Sequence, residues 1–129
     1  MIRRASLICL LASPVQADDL TAPDYFVDTV VATGIAQQLA RACPTLSLNP
    51  QSVAKDSDDL MNQLAADGIM SADEMPWTED ANTRIGAQVQ AFLTRTGLDA
   101  PTEAKVCDAG LAEIAEDTAI GRYLLEVPA

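Results

Sequence analysis

Apolar residues recur with helical spacing through the last quarter of the chain, over residues 99–125. Cys107, Leu111, Ile114 and Thr118 stand at positions i, i+4, i+7 and i+11, which places their side chains on one face of a helix. The pattern predicts one long amphipathic helix over this stretch, with Leu111 and Ile114 in the core.

Two glycines, Gly110 and Gly121, lie inside this predicted helix. A glycine in a helix interior costs roughly 1 kcal/mol against alanine. Both glycines therefore predict that another part of the backbone approaches the helix closely.

Three shorter stretches with helical spacing come first and predict helices over 21–43, 49–68 and 78–97. Their apolar stripes are Val31, Ile35, Leu39 and Ala42, then Val53, Leu60, Met61 and Leu64, then Ile85, Val89, Phe92 and Leu93. Thr21, Asn49 and Thr78 are the candidate N-caps. Gly68 and Gly97, each followed by an apolar residue, are typical of left-handed helix ends.

The same pattern also determines the predicted fold class. No stretch alternates with a period of two for long enough to indicate a convincing strand, and no linker divides the chain. The sequence predicts an all-α protein with a single small domain of four helices. A bundle is expected, and an orthogonal packing of the same helices stays open.

The first 17 residues have the three parts of a secretory signal peptide. Arg3 and Arg4 form the charged start, residues 5–12 the apolar part, and residues 15–17 a small-residue cleavage site. The apolar part is shorter than the roughly 20 residues that span a bilayer. We expect a signal peptide over 1–17 and a helical domain over 18–129, located in the periplasm or outside the cell. No membrane insertion of the mature chain is expected, and a buried N-terminal helix is the alternative.

Cleavage would remove Cys9 and leave two cysteines, Cys43 and Cys107, in an oxidising compartment. Such a pair usually forms a disulfide. The alternative, a reactive thiol pair, lacks a C-x-x-C motif and a nearby basic cluster that would lower a thiol pKa. A disulfide between Cys43 and Cys107 is the prediction.

Charge narrows the range of partners. The chain has 8 basic and 19 acidic residues, a net charge of −11, and loss of Arg3 and Arg4 would make it −13. A protein this acidic repels nucleic acid phosphates, so no nucleic acid partner is expected. The charge is compatible with a basic partner, with cations, or with solubility alone.

Catalytic and metal-binding motifs are scarce. The chain has no histidine, which removes Ser-His-Asp and Cys-His catalysis and histidine-ligated zinc. It has no G-x-S-x-G, Walker A or G-x-G-x-x-G motif. No catalytic residue, cofactor or metal is therefore predicted, although two carboxylates brought together by the fold remain an alternative.

One segment, 63–74, resembles part of a calcium-binding loop. It places Asp67, Gly68 and Glu74 at positions five, six and twelve of such a loop. Positions one and three of a calcium loop usually carry carboxylate ligands, and here they would be Gln63 and Ala65. We expect a helix end followed by a turn, inert towards calcium.

Trp77 is the only tryptophan and lies in the longest predicted loop. Aromatic residues are enriched at binding hot spots, which makes Trp77 the candidate contact with a partner protein. In a chain with 4% aromatic residues, the favoured interpretation is that it closes the bundle.

The whole mature chain resembles a small family of secreted alphaproteobacterial proteins of unknown function. The features that carry this resemblance are the signal peptide, Cys43-Pro44, the stretch FLTRTGL over 92–98, and Cys107, Gly110 and Leu124-Leu125. It implies a secreted helical domain with a cysteine pair and supplies no activity, ligand or catalytic residue.

We predict that the protein is a non-enzymatic binding or interaction module. Its expected partner is an unidentified periplasmic protein, and one version of this prediction is a role under stress. The alternatives are an enzyme that uses carboxylates alone and a weak cation-binding protein.

Overall fold

The computed structural model describes residues 20–69, 71 and 75–128. Its four longer helices are α1 (Asp24–Ala42), α2 (Pro50–Ala66), α3 (Thr78–Thr96) and α4 (Glu103–Ala115), followed by the four-residue α5 (Ala119–Arg122). Two short strands, β1 (Leu46–Leu48) and β2 (Leu124–Glu126), complete the described part of the chain. The prediction of a single, mainly helical domain with a Cys43–Cys107 disulfide is confirmed. The predicted signal peptide lies outside the described residues.

Capping explains where most of the helices begin. The Asn49 side chain accepts hydrogen bonds from the amides of Gln51 and Ser52, at 3.2 and 3.3 Å, so the predicted cap of α2 is confirmed. The predicted caps at Thr21 and Thr78 are wrong, because Pro23 and Trp77 occupy the N-cap positions of α1 and α3. Thr78 is instead the first residue of its helix.

Contacts between helix ends show the relative directions of the first three helices. The N-terminal ends of α1 and α3 lie together, since the Ala22 amide donates to Asp80 Oδ2 at 2.8 Å and Arg84 donates to the Ala22 carbonyl at 2.7 Å. The end of α2 reaches the same pole, where Tyr25 donates to Asp67. At the other pole the disulfide joins the end of α1 to the start of α4. Helices α1 and α3 therefore run in the same direction, and α2 runs opposite to them. The start of α4 lies at the end of α1, and Glu113, near the end of α4, reaches Arg95, near the end of α3.

The predicted single helix over 99–125 is wrong at its C-terminal part. It ends at Ala115, Asp117 takes a left-handed conformation with φ 51°, and Thr118 becomes the N-cap of α5, accepting from the Gly121 amide at 3.1 Å. Asp and Thr side chains favour such local hydrogen bonds over helix interiors. Thr118 is thus a cap and not a member of the apolar stripe. Leu111 and Ile114 stay on that stripe but are only half-buried against the core.

The two strands were not predicted because each spans three residues. They pair antiparallel, with Leu46 opposite Glu126 and Leu48 opposite Leu124. Leu46 and Leu124 are buried, and they anchor this ribbon to the helices. The chain end is thereby fixed to the connection between α1 and α2.

The two glycines of the last predicted helix differ in what surrounds them. A Cβ at Gly121 would lie 2.0 Å from the backbone oxygen of Glu113, so close backbone approach is confirmed there. A Cβ at Gly110 would lie 2.2 Å from Cδ1 of Leu46. That neighbour is a side chain, so the backbone contact predicted at Gly110 is wrong.

Candidate functional site

The described part of the chain contains an apolar groove of about 490 Å³, which we call the α1–α3 groove. Its floor is formed by α1, one wall by α3, and the other wall by the α3–α4 connection and the start of α4. The lining residues are Gly34, Ile35, Gln38, Leu39, Ala42, Val89, Phe92, Leu93, Leu98, Pro101 and Val106. Gln38 is the only one of these with a polar side chain.

Helical periodicity builds the floor. Gly34, Gln38 and Ala42 are spaced by four residues, so they form one exposed row along α1. Ile35 and Leu39 lie beside that row and are 5% and 3% exposed. The floor is thus a strip of small or apolar surface with one amide at its centre.

The end of α3 builds the second wall. Gly97 ends the helix at φ 71°, and the Leu98 amide donates to the Leu93 carbonyl at 2.8 Å. This left-handed ending folds the chain back on itself, so that Leu98 packs close to Leu93. Pro101 and Val106 then carry the apolar lining into α4.

A buried carboxylate lies outside the groove. Glu113 is 4% exposed, and its Oε1 accepts from Arg95 at 3.2 Å while Oε2 accepts from the Thr118 hydroxyl. The Arg95 guanidinium also lies 5.3 Å from the centre of the Phe92 ring. Both carboxylate oxygens are occupied, so Glu113 links α4 to α3 and supports the wall residue Phe92. Sequence reasoning missed it; the only signal was a glutamate between Leu111 and Ile114.

Two tyrosines donate to carboxylates elsewhere in the bundle. The pKa of Tyr25 is raised to about 12, mainly by burial and secondly by the hydrogen bond to Asp67. Burial and the 2.5 Å hydrogen bond to Asp56 likewise raise the pKa of Tyr123 to about 12. These pairs attach α1 and the chain end to α2, and their phenols stay protonated at neutral pH.

Metal-binding geometry is not found in the described part of the chain, where no three Cys, Asp or Glu side chains come together to hold an ion. Gln63 and Ala65 lie within α2, which ends at Ala66, and Gly68 follows with φ 84°. The Ile69 amide donates to the Leu64 carbonyl at 2.9 Å, which completes a left-handed helix ending. Glu74, the last position of the calcium-like segment, lies outside the described residues.

Trp77 is in the core. It is 5% exposed and meets Phe26 edge to face, with ring centres 4.8 Å apart. This position agrees with the interpretation that Trp77 closes the bundle. A side chain so deeply buried offers little surface to a partner protein.

None of the helices in the described ranges combines the length and apolar character required to cross a membrane. A family model, described as DUF5333, a family of unknown function, matches residues 18–125. No curated protein and no solved structure matches the chain.

Proposed function

The chain belongs to DUF5333, a family of unknown function, and within that family we propose that it is a non-enzymatic binding module whose site is the α1–α3 groove. The bound molecule, which we call the guest, would place an apolar part in this groove. The single observation that carries this proposal is the composition of the groove, in which ten of eleven lining residues offer no polar side chain.

The size and chemistry of the groove support this proposal. Ligand sites in proteins usually measure roughly 300–1,000 Å³ and combine apolar walls with a few polar groups. The groove has about 490 Å³ and one amide, that of Gln38. The lining side chains offer a ligand few hydrogen bonds. The free energy of binding therefore has to come from apolar surface removed from water, at about 25 cal/mol per Å².

The chemistry in the groove is unsuited to the carboxylate-dependent alternative. Among the residues that the structure describes, no Asp or Glu lines it. The buried carboxylate of Glu113 has both oxygens engaged by Arg95 and Thr118. A general acid or base needs an oxygen within reach of a substrate, and Glu113 presents none.

We place this binding module in the periplasm or outside the cell. The predicted signal peptide and the Cys43–Cys107 disulfide support that location, because disulfides persist in oxidising compartments. The family match begins at residue 18, directly after the predicted cleavage site. The same groove would serve a stress-related protein that shields apolar segments of other proteins.

Titration with Nile red, a neutral apolar dye, tests the proposal. The protein is expressed as the full chain and purified in its oxidised form. Gln38→Trp places a large side chain over the floor of the groove and should weaken dye binding at least about tenfold, a loss of roughly 1.4 kcal/mol. Gln37→Trp is the matched control, because Gln37 is exposed and borders a different depression, beside Arg41 and Leu48.

The proposal requires saturable dye binding by the wild type and by Gln37→Trp. It is wrong if the wild type shows no saturable binding, or if both variants lose binding to the same extent. Circular dichroism and melting temperature of the two variants would show that the helices are intact.

A further inference from the structure

We propose that the occupant of the α1–α3 groove is the apolar face of a cationic amphipathic helix belonging to a partner protein. This inference rests on the proposed function, since it names the guest of the same groove. Three features carry it: the length of the groove, the carboxylates beside it, and the engagement of the nearby cations.

The length of the floor fits two turns of a helix. From Gly34 to Ala42 the row on α1 covers nine residues, and the eight steps between them measure about 12 Å at 1.5 Å per residue. A bound helix presents anchors at positions i, i+3 or i+4, and i+7, which cover about 10.5 Å. Two to three large apolar side chains therefore fit along the floor.

Acidic side chains flank one wall of the groove. Asp99 follows the lining residue Leu98, and Glu103 lies one turn before Val106 on the same face of α4. Both are exposed. Within the described ranges, neither carboxylate takes part in an ion pair or a side-chain hydrogen bond.

The nearby cations offset these carboxylates only in part. Lys105 donates to the Ala100 carbonyl at 3.3 Å and balances one of the two negative charges, and Arg95 is engaged by Glu113. Arg41 borders the depression on another side of α1. The rim of the groove is therefore acidic, in a chain whose net charge is −11. Such a rim attracts cationic flanks and repels fatty acids and anionic lipids.

Two synthetic peptides test the charge of the guest. Both contain about 18 residues, enough to form a helix, and both place leucines on one face; the other face carries lysines in one peptide and glutamates in the other. We expect the Leu/Lys peptide to bind at least about tenfold more tightly than the Leu/Glu peptide. Raising the salt from about 50 to about 300 mM should weaken the Leu/Lys complex, because exposed charges are screened.

Two double variants distinguish the groove from general attraction to an acidic protein. Asp99→Asn with Glu103→Gln removes the two rim charges and should weaken Leu/Lys binding about fivefold, through the loss of two close charge contacts. Asp58→Asn with Glu116→Gln removes the same number of exposed charges from α2 and from the end of α4. It should change binding less than twofold.

Equal weakening in both double variants would overturn the inference, as would equal binding of the two peptides. Nile red binding separates this failure from that of the proposed function. If the dye binds and is lost in Gln38→Trp while the Leu/Lys peptide does not bind, the groove is a binding site with a different guest. If neither binds, the proposed function itself is wrong.

Discussion

Replacing Gly121 with alanine should disrupt the packing of α5 against α4. The added Cβ would lie 2.0 Å from the Glu113 carbonyl oxygen, 2.4 Å from its carbon and 2.8 Å from the Ile114 nitrogen. Ordinary contact begins at 3.4 Å, so the two backbones must separate by about 1.4 Å. No flexible side chain stands in between to absorb that shift.

The surroundings of α5 resist this movement. The Thr118 cap holds the Gly121 amide at 3.1 Å, and the next residues carry the Tyr123–Asp56 hydrogen bond and strand β2. Overpacking costs about 1–3 kcal/mol, and a backbone clash belongs at the upper end. We expect a loss of about 3 kcal/mol, which lowers the melting temperature of a domain of this size by about 12 °C.

The assay is thermal and urea denaturation of the oxidised protein, with Gly86→Ala as the control. Apart from its chain neighbours and the backbone of its own helix, a Cβ at Gly86 would meet no atom of the described residues within 4 Å, and the residue lies in the interior of α3. That variant should gain about 1 kcal/mol from helix propensity. A Gly121→Ala protein within about 0.5 kcal/mol of the wild type would refute the close packing of α4 and α5.

Three further predictions concern the disulfide, the tyrosines and the apolar stripe. The 64-residue separation of Cys43 and Cys107 predicts a loss of roughly 4 kcal/mol on reduction, measured by denaturation with and without reductant; alkylation of both cysteines without reductant would contradict the bond. Tyr25 and Tyr123 should ionise near pH 12 in an ultraviolet titration, and stability should fall as the pH rises from 10 to 12, because the unfolded chain loses these protons first; ionisation near pH 10 in the folded protein would contradict the two hydrogen bonds. Leu111→Ala should cost about 2 kcal/mol in urea denaturation, the lower end for leucine, because the side chain is half-buried; a change below about 0.5 kcal/mol would place it at the surface.

Much of the bundle could be predicted from helical periodicity and end signals. Asn49 before Pro50 defined the start of α2, and Gly97 followed by Leu98 defined the end of α3. These are local effects, in which one side chain or one backbone conformation satisfies the terminal amides or carbonyls. The ion pair between Asp80 and Arg84, which stand four residues apart on α3, is another such local contact, at 3.3 Å.

The end of α4 could not be predicted from the apolar stripe, because periodicity continues through it. Cys107, Leu111 and Ile114 keep their spacing to Thr118. The helix nevertheless ends because Asp117 takes a left-handed conformation, and the hydrogen bonds of the Thr118 hydroxyl then start another helix. The ribbon was missed for a different reason. Strands of three residues carry too short a pattern, and only the long-range pairing of Leu46 with Glu126 stabilises them.

The groove was also beyond sequence reasoning. Val89 and Leu93 belong to a predicted apolar stripe. Nothing in their spacing shows that a groove separates them from the wall formed by the α3–α4 connection and the start of α4. The position of that wall depends on the left-handed turn at Gly97 and on the path of the chain through Pro101 into α4. Apolar residues at the surface of a groove and apolar residues in a core have the same pattern along the chain.

The most direct test of the α1–α3 groove as a binding site is methyl NMR of the oxidised protein titrated with the Leu/Lys peptide and, separately, with Nile red. Saturable shifts are predicted at the methyl groups of Leu39, Val89 and Leu93, with intermolecular contacts to the guest at Leu93. Leu64, buried in α2, should stay unchanged. Shifts confined to α2 or to the β1–β2 ribbon, with Leu39 and Leu93 unaffected, would contradict the assignment of the groove.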